Sequence, residues 1–519
     1  MAVVPRHQNP RSLPAATTDL ESNPVRMRPS PMSMRKVVFL VAIAACSVAT
    51  SFSEVTITGS TRWRDRKDVQ HLLVGARVLV MDSTSGAPLN LEPSYTVDDG
   101  TFRVTINDPA APINVKIQIL TEGEFGSVTF PDSGQPYKLE SPDVFPAAAG
   151  GAVRTGALNL APHGGQQVDS GDQSLTIVWA FSVHQAMVYA RLYAKSLGED
   201  PSPITVNFPI DGQQVCGAPV SCFRKGKPDV NILFGDKWDW DVMMHEYGHY
   251  ISFLGRIDDN PGGAHYMGAH LENTYPDSKE IALKLAWGEG WPTFFSITAQ
   301  KSLALDNLHI PFVGDSSYDD TEDIELHVDL ASEDITPSVG EDDELSVGRI
   351  LYAIANGSAP THGAAFHLTD KSIWLALKSH NVATLWDGWV ALIEGQRPYR
   401  LASVGAVFAD HAVAPARLLP DDAEVDDSPT TFSWTGNDSA IVSPHPNKMF
   451  KLTVYNDTWD VLFEVSGLSA GSYSPSPEQW AAIKGANSKN VYWLVSGVNP
   501  DQPATGPYVS YAGRLRQKE

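Results

Sequence analysis

The chain has 519 residues, 42% of them hydrophobic, enough for about three domains at ~150 residues each, which excludes disorder as the default state. Its 61 Asp and Glu outnumber its 38 Lys and Arg, for a formal net charge of −23. A surface this acidic repels phosphate backbones, which argues against nucleic acid as a partner and suits a soluble protein outside the cytosol.

At the N-terminus, Met34-Arg35-Lys36 precedes the apolar run Val37–Ala45. A basic start followed by a short apolar stretch is the build of a secretory signal peptide, and the run is too short to span a bilayer. Residues 1–33, rich in Pro, Arg and Ser, do not belong to a normal signal. An upstream start codon assigned in error is the preferred explanation, with Met27, Met32 or Met34 as the start; a genuine polar extension is the alternative. Ile43-Ala44-Ala45-Cys46 also resembles a bacterial lipobox, which would lipidate Cys46 and is the one route by which a membrane link is expected; ordinary cleavage near Ser51 or Ser53 is the other route. Both routes lead to export, so the protein is expected to be secreted, periplasmic or at the cell surface. After processing, Cys216 and Cys222 remain, and a small disulfide-closed loop is expected between them.

Residues 54–162 read as an all-β module. Val74–Val80 alternates, Asp98-Asp99-Gly100 signals a turn, Thr101–Ile106 returns, and Ile113–Ile119 alternates again. With Gly75, Val78, Gly100 and Phe102 in place, this segment resembles the transthyretin-like or carboxypeptidase-regulatory-like sandwich, which implies a spacer or adhesion module. Gly150-Gly151 and the Pro162–Gly165 stretch mark a linker. Trp179–Tyr193 then has the spacing of a helix that stops at Gly198, with His184 expected to be an ordinary core or surface histidine. Ile204–Phe208 and Val230–Phe234 read as strands; the second is either an edge able to pair with an extended peptide or an interior strand, and both readings stay open.

The central motif follows at once: His245-Glu246-Tyr247-Gly248-His249, the H-E-x-x-H pattern. Residues four apart share one face of a helix, so both imidazoles can reach one metal ion. Glu246 projects beside it, where a carboxylate can take a proton from the attacking water. Asp239 or Asp241 is expected to cap this helix, which should stop at Gly255. Two histidines leave a zinc site one ligand short, and forty residues after His249 comes Glu289, a single carboxylate in Ala286–Phe295, a run otherwise of Trp, Gly, Pro, Phe, Ala and Thr. Burying that charge unpaired is costly, and a metal would compensate it. Pro292 is expected in the first turn of a helix beginning near Gly288.

His245-Glu246-Tyr247-Gly248-His249 followed by Gly288-Glu289-Gly290-Trp291 resembles the gluzincin metallopeptidases, the thermolysin and fungalysin type in particular. The resemblance implies that His245, His249 and Glu289 are zinc ligands, that Glu246 is the general base, and that the substrate is a protein or peptide. One departure is Thr293, where those families usually place an Asp that steadies a ligand histidine, so the outer support is expected from elsewhere. The oxyanion-stabilising donor is open among His327, Tyr352, His362, His367 and His380, while His265, between the two motifs, could line the cleft.

From Asp315 to Glu344 there are 13 acidic residues and no Lys or Arg. Such oxygen ligands suit calcium, which secreted relatives often carry, but no D-x-D-x-D-G loop is present and a solvated acidic loop is the favoured reading. Glu341–Ala355 reads as a buried helix with an acidic start, and Lys371–Lys378 and Thr384–Ile393 add more helices. Beyond the Pro- and Asp-rich linker 415–429, strand-like runs with tryptophans expected in the core resemble a fibronectin type III-like module. The expected fold is therefore multidomain: 1–53 as polar extension and signal peptide, 54–162 a β-sandwich, 170–412 an α+β zincin-like catalytic domain, and 416–519 a second β-sandwich. The expected activity is zinc-dependent peptide hydrolysis; the alternative is a cell-surface binding or adhesion protein on an inactive metallopeptidase scaffold.

Overall fold

In the computed structural model the described residues are 54–518, apart from 91, 108–111, 148–151, 160–172, 322–324, 333, 335–336, 437–446 and 501–505. The expected signal peptide and lipidation site, and the linker near 162, lie outside them. The described chain is mixed α/β, with ten α-helices and six sheets. None of its helices is long and apolar enough to cross a membrane.

Alternation of apolar and polar residues builds the expected strands as Arg77–Asp82, Thr101–Asn107 and Ile113–Leu120. Glu54–Arg64 pairs with Thr101–Asn107, Gln70–Leu72 and Ala152–Asn159. Ile113–Leu120 lies between Arg77–Asp82 and Phe145–Ala147, and Val78, Val80, Val115, Ile117 and Ile119 turn inward together. A third sheet takes strands from both sides of residue 162. Its order is Cys222–Arg224, Asp229–Leu233, Ile204–Ile210, Gly126–Thr129, Glu122–Gly123, with Ile204–Ile210 parallel to both neighbours. Asp229–Leu233 is thus an interior strand, which settles the question left open above. One edge of this sheet is Cys222–Arg224, which begins at the second cysteine of the Cys216–Cys222 disulfide.

Four helices carry or support the site. The helix Gln173–Leu197 packs on the histidine helix, Trp240–Gly255, and on the glutamate helix, Lys279–Ser302. The helix Glu344–Asn356 covers the far side of the glutamate helix. Asp239 occupies the N-cap position of the histidine helix, but its carboxylate accepts from Thr321 and makes no capping bond to the helix. The helix stops at Gly255, as expected, but the left-handed cap residue is Arg256, at φ 55°, and Gly255 is small because Trp374 lies where a Cβ would go. The glutamate helix begins nine residues earlier than expected, with Pro292 inside it. A proline there cannot donate to the carbonyl of Gly288, one residue before Glu289, so the helix is held by its packing at that turn.

Among its described residues the acidic run is only partly solvated, with Asp315, Glu325 and Asp334 exposed. Ser317–Asp320 and Leu326–Asp329 form a hairpin, Tyr318 and Asp319 are buried, and Glu341, Asp342, Asp343 and Glu344 are all buried. Each of the last four has a use: Glu341 accepts from the Tyr508 hydroxyl at 2.7 Å, Asp342 meets His270 at 3.1 Å, Asp343 caps the helix Glu344–Asn356, and Glu344 meets His265 at 3.0 Å. Beyond residue 415, a three-stranded and a six-stranded sheet enclose Trp434 and Trp493.

Candidate metal centre

The histidine helix is buried along nearly all of its length, and both its histidines are buried with it. Their rings stand 4.8 Å apart at 80°. Candidate ligand atoms of His245, Glu246 and His249 all lie within 4.8 Å of one another, so these residues form a group that can hold a metal ion.

Glycines let the glutamate helix come close. A Cβ on Gly248 would lie 3.0 Å from Pro292 Cα, and one on Gly290 would lie 2.5 Å from the Glu344 carbonyl oxygen. Glu289 is held between these two approaches, and its Oε2 is 3.2 Å from Nε2 of both His245 and His249. Two ligands bound tetrahedrally to one ion at ~2.0–2.1 Å would be separated by about 3.3 Å. The N, N, O donor set and its spacing therefore fit a small divalent ion.

Thr293 corrects one expectation. The outer partner of His245 comes from Thr293 itself, whose Oγ1 is 3.1 Å from Nδ1. When Nε2 is a metal ligand, Nδ1–H is the donor and the hydroxyl accepts.

Electrostatics favour cations here. Burial opposes a charged His249, but Glu289, Glu246 and Asp258 outweigh it and raise the imidazole to about 9. Burial likewise opposes an ionised Glu289, yet His249 and His265 hold its carboxyl well below the ordinary value.

His265, the residue expected to line the cleft, is brought to Glu289, with Nε2 at 3.8 Å from Oε1, whereas the five donor candidates are not. These are engaged elsewhere: His327 with Asp319, Tyr352 with Lys301, His362 stacked on Tyr511, His380 with the Ala376 carbonyl, and His367 beside Gly357. His184 is a buried core residue against Phe125, as expected.

Two neighbours escaped sequence reasoning. Tyr318 lies edge-on to His245, with ring centroids 5.8 Å apart. Burial, then the charges of Asp320 and Glu246, push its phenol well above the ordinary value, so it stays a hydrogen-bond donor. Asn260 donates to Glu289 Oε1 at 2.7 Å. Tyr318 sat in a run whose composition suggested solvation; the one signal for Asn260 was its place in the loop between the two motifs.

A second group, Asp236, Asp239 and Asp320, also has ligand atoms within 4.8 Å of one another. Ser221 donates to Asp236, and Thr321 donates to Asp239 through its amide at 3.1 Å.

No protein-family model matches the chain, and no curated protein matches it. Among solved structures, a 9R-lipoxygenase from Cyanothece PCC8801 is similar at 10% identity, over 83% of this chain and 76% of that one, with a TM-score of 0.15. A likeness that loose carries no argument about fold or function.

Proposed function

We propose that this chain is an exported zinc metallopeptidase of gluzincin type, with a zincin-like catalytic unit between two β-sandwiches. The observation that carries the reading is the position of the Glu289 carboxylate, 3.2 Å from both imidazoles of the H-E-x-x-H helix. His245, His249 and Glu289 would hold the ion, and two nitrogens with one carboxylate oxygen suit zinc.

Bound zinc supplies Lewis acidity, polarising the scissile carbonyl and making water more acidic. The chain's own groups do the rest. Glu246 takes the proton of the attacking water and returns it to the departing amine. Tyr318 donates to the oxygen on which negative charge develops, from a buried position where a hydrogen bond is worth more than in water. The edge strand Cys222–Arg224 offers backbone groups to an extended peptide. Calcium is a secondary part of this reading, and Asp236, Asp239 and Asp320 are the carboxylates grouped closely enough to hold it.

The test joins a zinc measurement to digestion of a broad peptide library. Zinc at one ion per chain with cleavage abolished in Glu246→Gln is the expected result. Bound zinc with no peptide cleaved would sink the peptidase reading and favour a binding protein on the same scaffold.

A further inference from the structure

The two oxygens of Glu289 have different neighbours. Oε2 faces both imidazoles at 3.2 Å, whereas Oε1 accepts the 2.7 Å bond from Nδ2 of Asn260. The Asn260 amide is fixed at its other end, because its Oδ1 accepts from the Gly262 N–H at 2.7 Å. Turning the amide over would set two donors together at Gly262 and two acceptors together at Glu289. The turn itself is held by Asp258 Oδ1, which accepts from the Asn260 backbone N–H at 2.5 Å.

Gly288 makes room for this contact. A Cβ there would lie 2.6 Å from Asn260 Cβ and 2.8 Å from its Nδ2. On the other side of Glu289, Gly290 admits the backbone of the helix Glu344–Asn356. Gly288-Glu289-Gly290 is therefore a carboxylate set between two close approaches, one by the loop and one by a helix. His265 Nε2 lies 3.8 Å from Oε1, outside hydrogen-bond range, and its Nδ1 is tied to Glu344 at 3.0 Å, so it does not replace the amide.

We propose that Asn260 is a positioning residue that occupies Oε1, so that Glu289 offers only Oε2 to the ion shared with His245 and His249. The assignment rests on the metal-site reading above. The terminal torsion of a glutamate is broad, so without the amide the carboxylate can turn and present both oxygens. A single-oxygen ligand keeps the coordination number low and leaves a position for water and substrate.

The experiment uses the full chain as wild type, Asn260→Ala, Asn260→Ser and Gly288→Ala. Zinc affinity is measured by chelator competition, and the visible absorption of the cobalt-substituted protein reports coordination number. Circular dichroism checks the fold. Asn260→Ser keeps a polar side chain for the turn but is too short to reach Oε1. Both Asn260 variants are expected to bind zinc about 10–100-fold more weakly and to lose cobalt band intensity as the coordination number rises. Gly288→Ala changes no ligand and no hydrogen-bonding side chain, yet should reproduce both effects by displacing Asn260. Folded Asn260 variants with unchanged zinc affinity and cobalt spectrum overturn the assignment while leaving the metal site intact. Wild-type protein that takes up neither ion overturns the metal-site reading and the assignment with it.

Discussion

Thr293 Oγ1 lies 3.1 Å from Nδ1 of His245, so a buried neutral hydroxyl orients the first imidazole of the motif. A carboxylate in that place would make the ring a stronger donor to a metal, and the hydroxyl makes a weaker one. Thr293→Val keeps the shape and removes the acceptor. Zinc affinity is expected to fall about tenfold or more in a chelator competition, with Thr293→Ser retaining most of it.

Glu246 and Glu289 are both buried carboxylates beside the same histidines, and they separate by experiment. Glu246→Gln should keep its zinc and lose hydrolysis, because only the proton acceptor is gone. Glu289→Ala should lower zinc content itself, read as metal per chain after dialysis. An unchanged stoichiometry in Glu289→Ala would exclude it as a ligand.

Tyr318→Phe deletes one hydroxyl next to the motif and leaves the ring packed on His245. Loss of an oxyanion donor should lower kcat about 100–1,000-fold with metal content unchanged. If His265→Ala shows that loss and Tyr318→Phe does not, the donor is His265.

Asp343 should make the fold sensitive to pH. Burial, with Glu344 and Asp342 adding to it and the Ser346 amide opposing, raises its carboxyl to about 7 from an ordinary 3.8, and its Oδ2 has no hydrogen-bond partner. The folded protein then binds more protons than the unfolded chain between these values, so this group's contribution to stability falls as pH rises from about 4 to 7. Asp343→Asn preserves a good helix cap and removes the titration. Melting curves should nearly coincide at pH 4 and diverge by pH 8, the variant being more stable by on the order of 3 kcal/mol.

The Cys216–Cys222 disulfide closes a short loop ahead of the edge strand. Replacing both cysteines by serine should cost about 2 kcal/mol in denaturant unfolding, and reductant should have the same effect on wild type.

What was legible in the sequence depends on local geometry. His245, Glu246 and His249 follow from helical periodicity, which brings residues four apart together whatever surrounds them. Glu289 stood out as one charge in an apolar run, and the cysteine pair as two thiols six residues apart. The strands Arg77–Asp82, Thr101–Asn107 and Ile113–Leu120 declared themselves by alternation. Packing decided the rest. The glutamate helix runs through Pro292 because burial on two sides outweighs one missing hydrogen bond, which no local propensity anticipates. The end of the acidic run is buried because Glu341, Asp342, Asp343 and Glu344 meet Tyr508, His270, a helix N-terminus and His265, partners that composition cannot reveal. Asn260 and the hydroxyl of Thr293 reach the site because Gly248, Gly288 and Gly290 allow backbones and side chains to approach within contact distance, and Tyr318 because its hairpin packs beside His245. Periodicity sets which face of a helix carries the histidines; close packing between distant segments sets what stands opposite them.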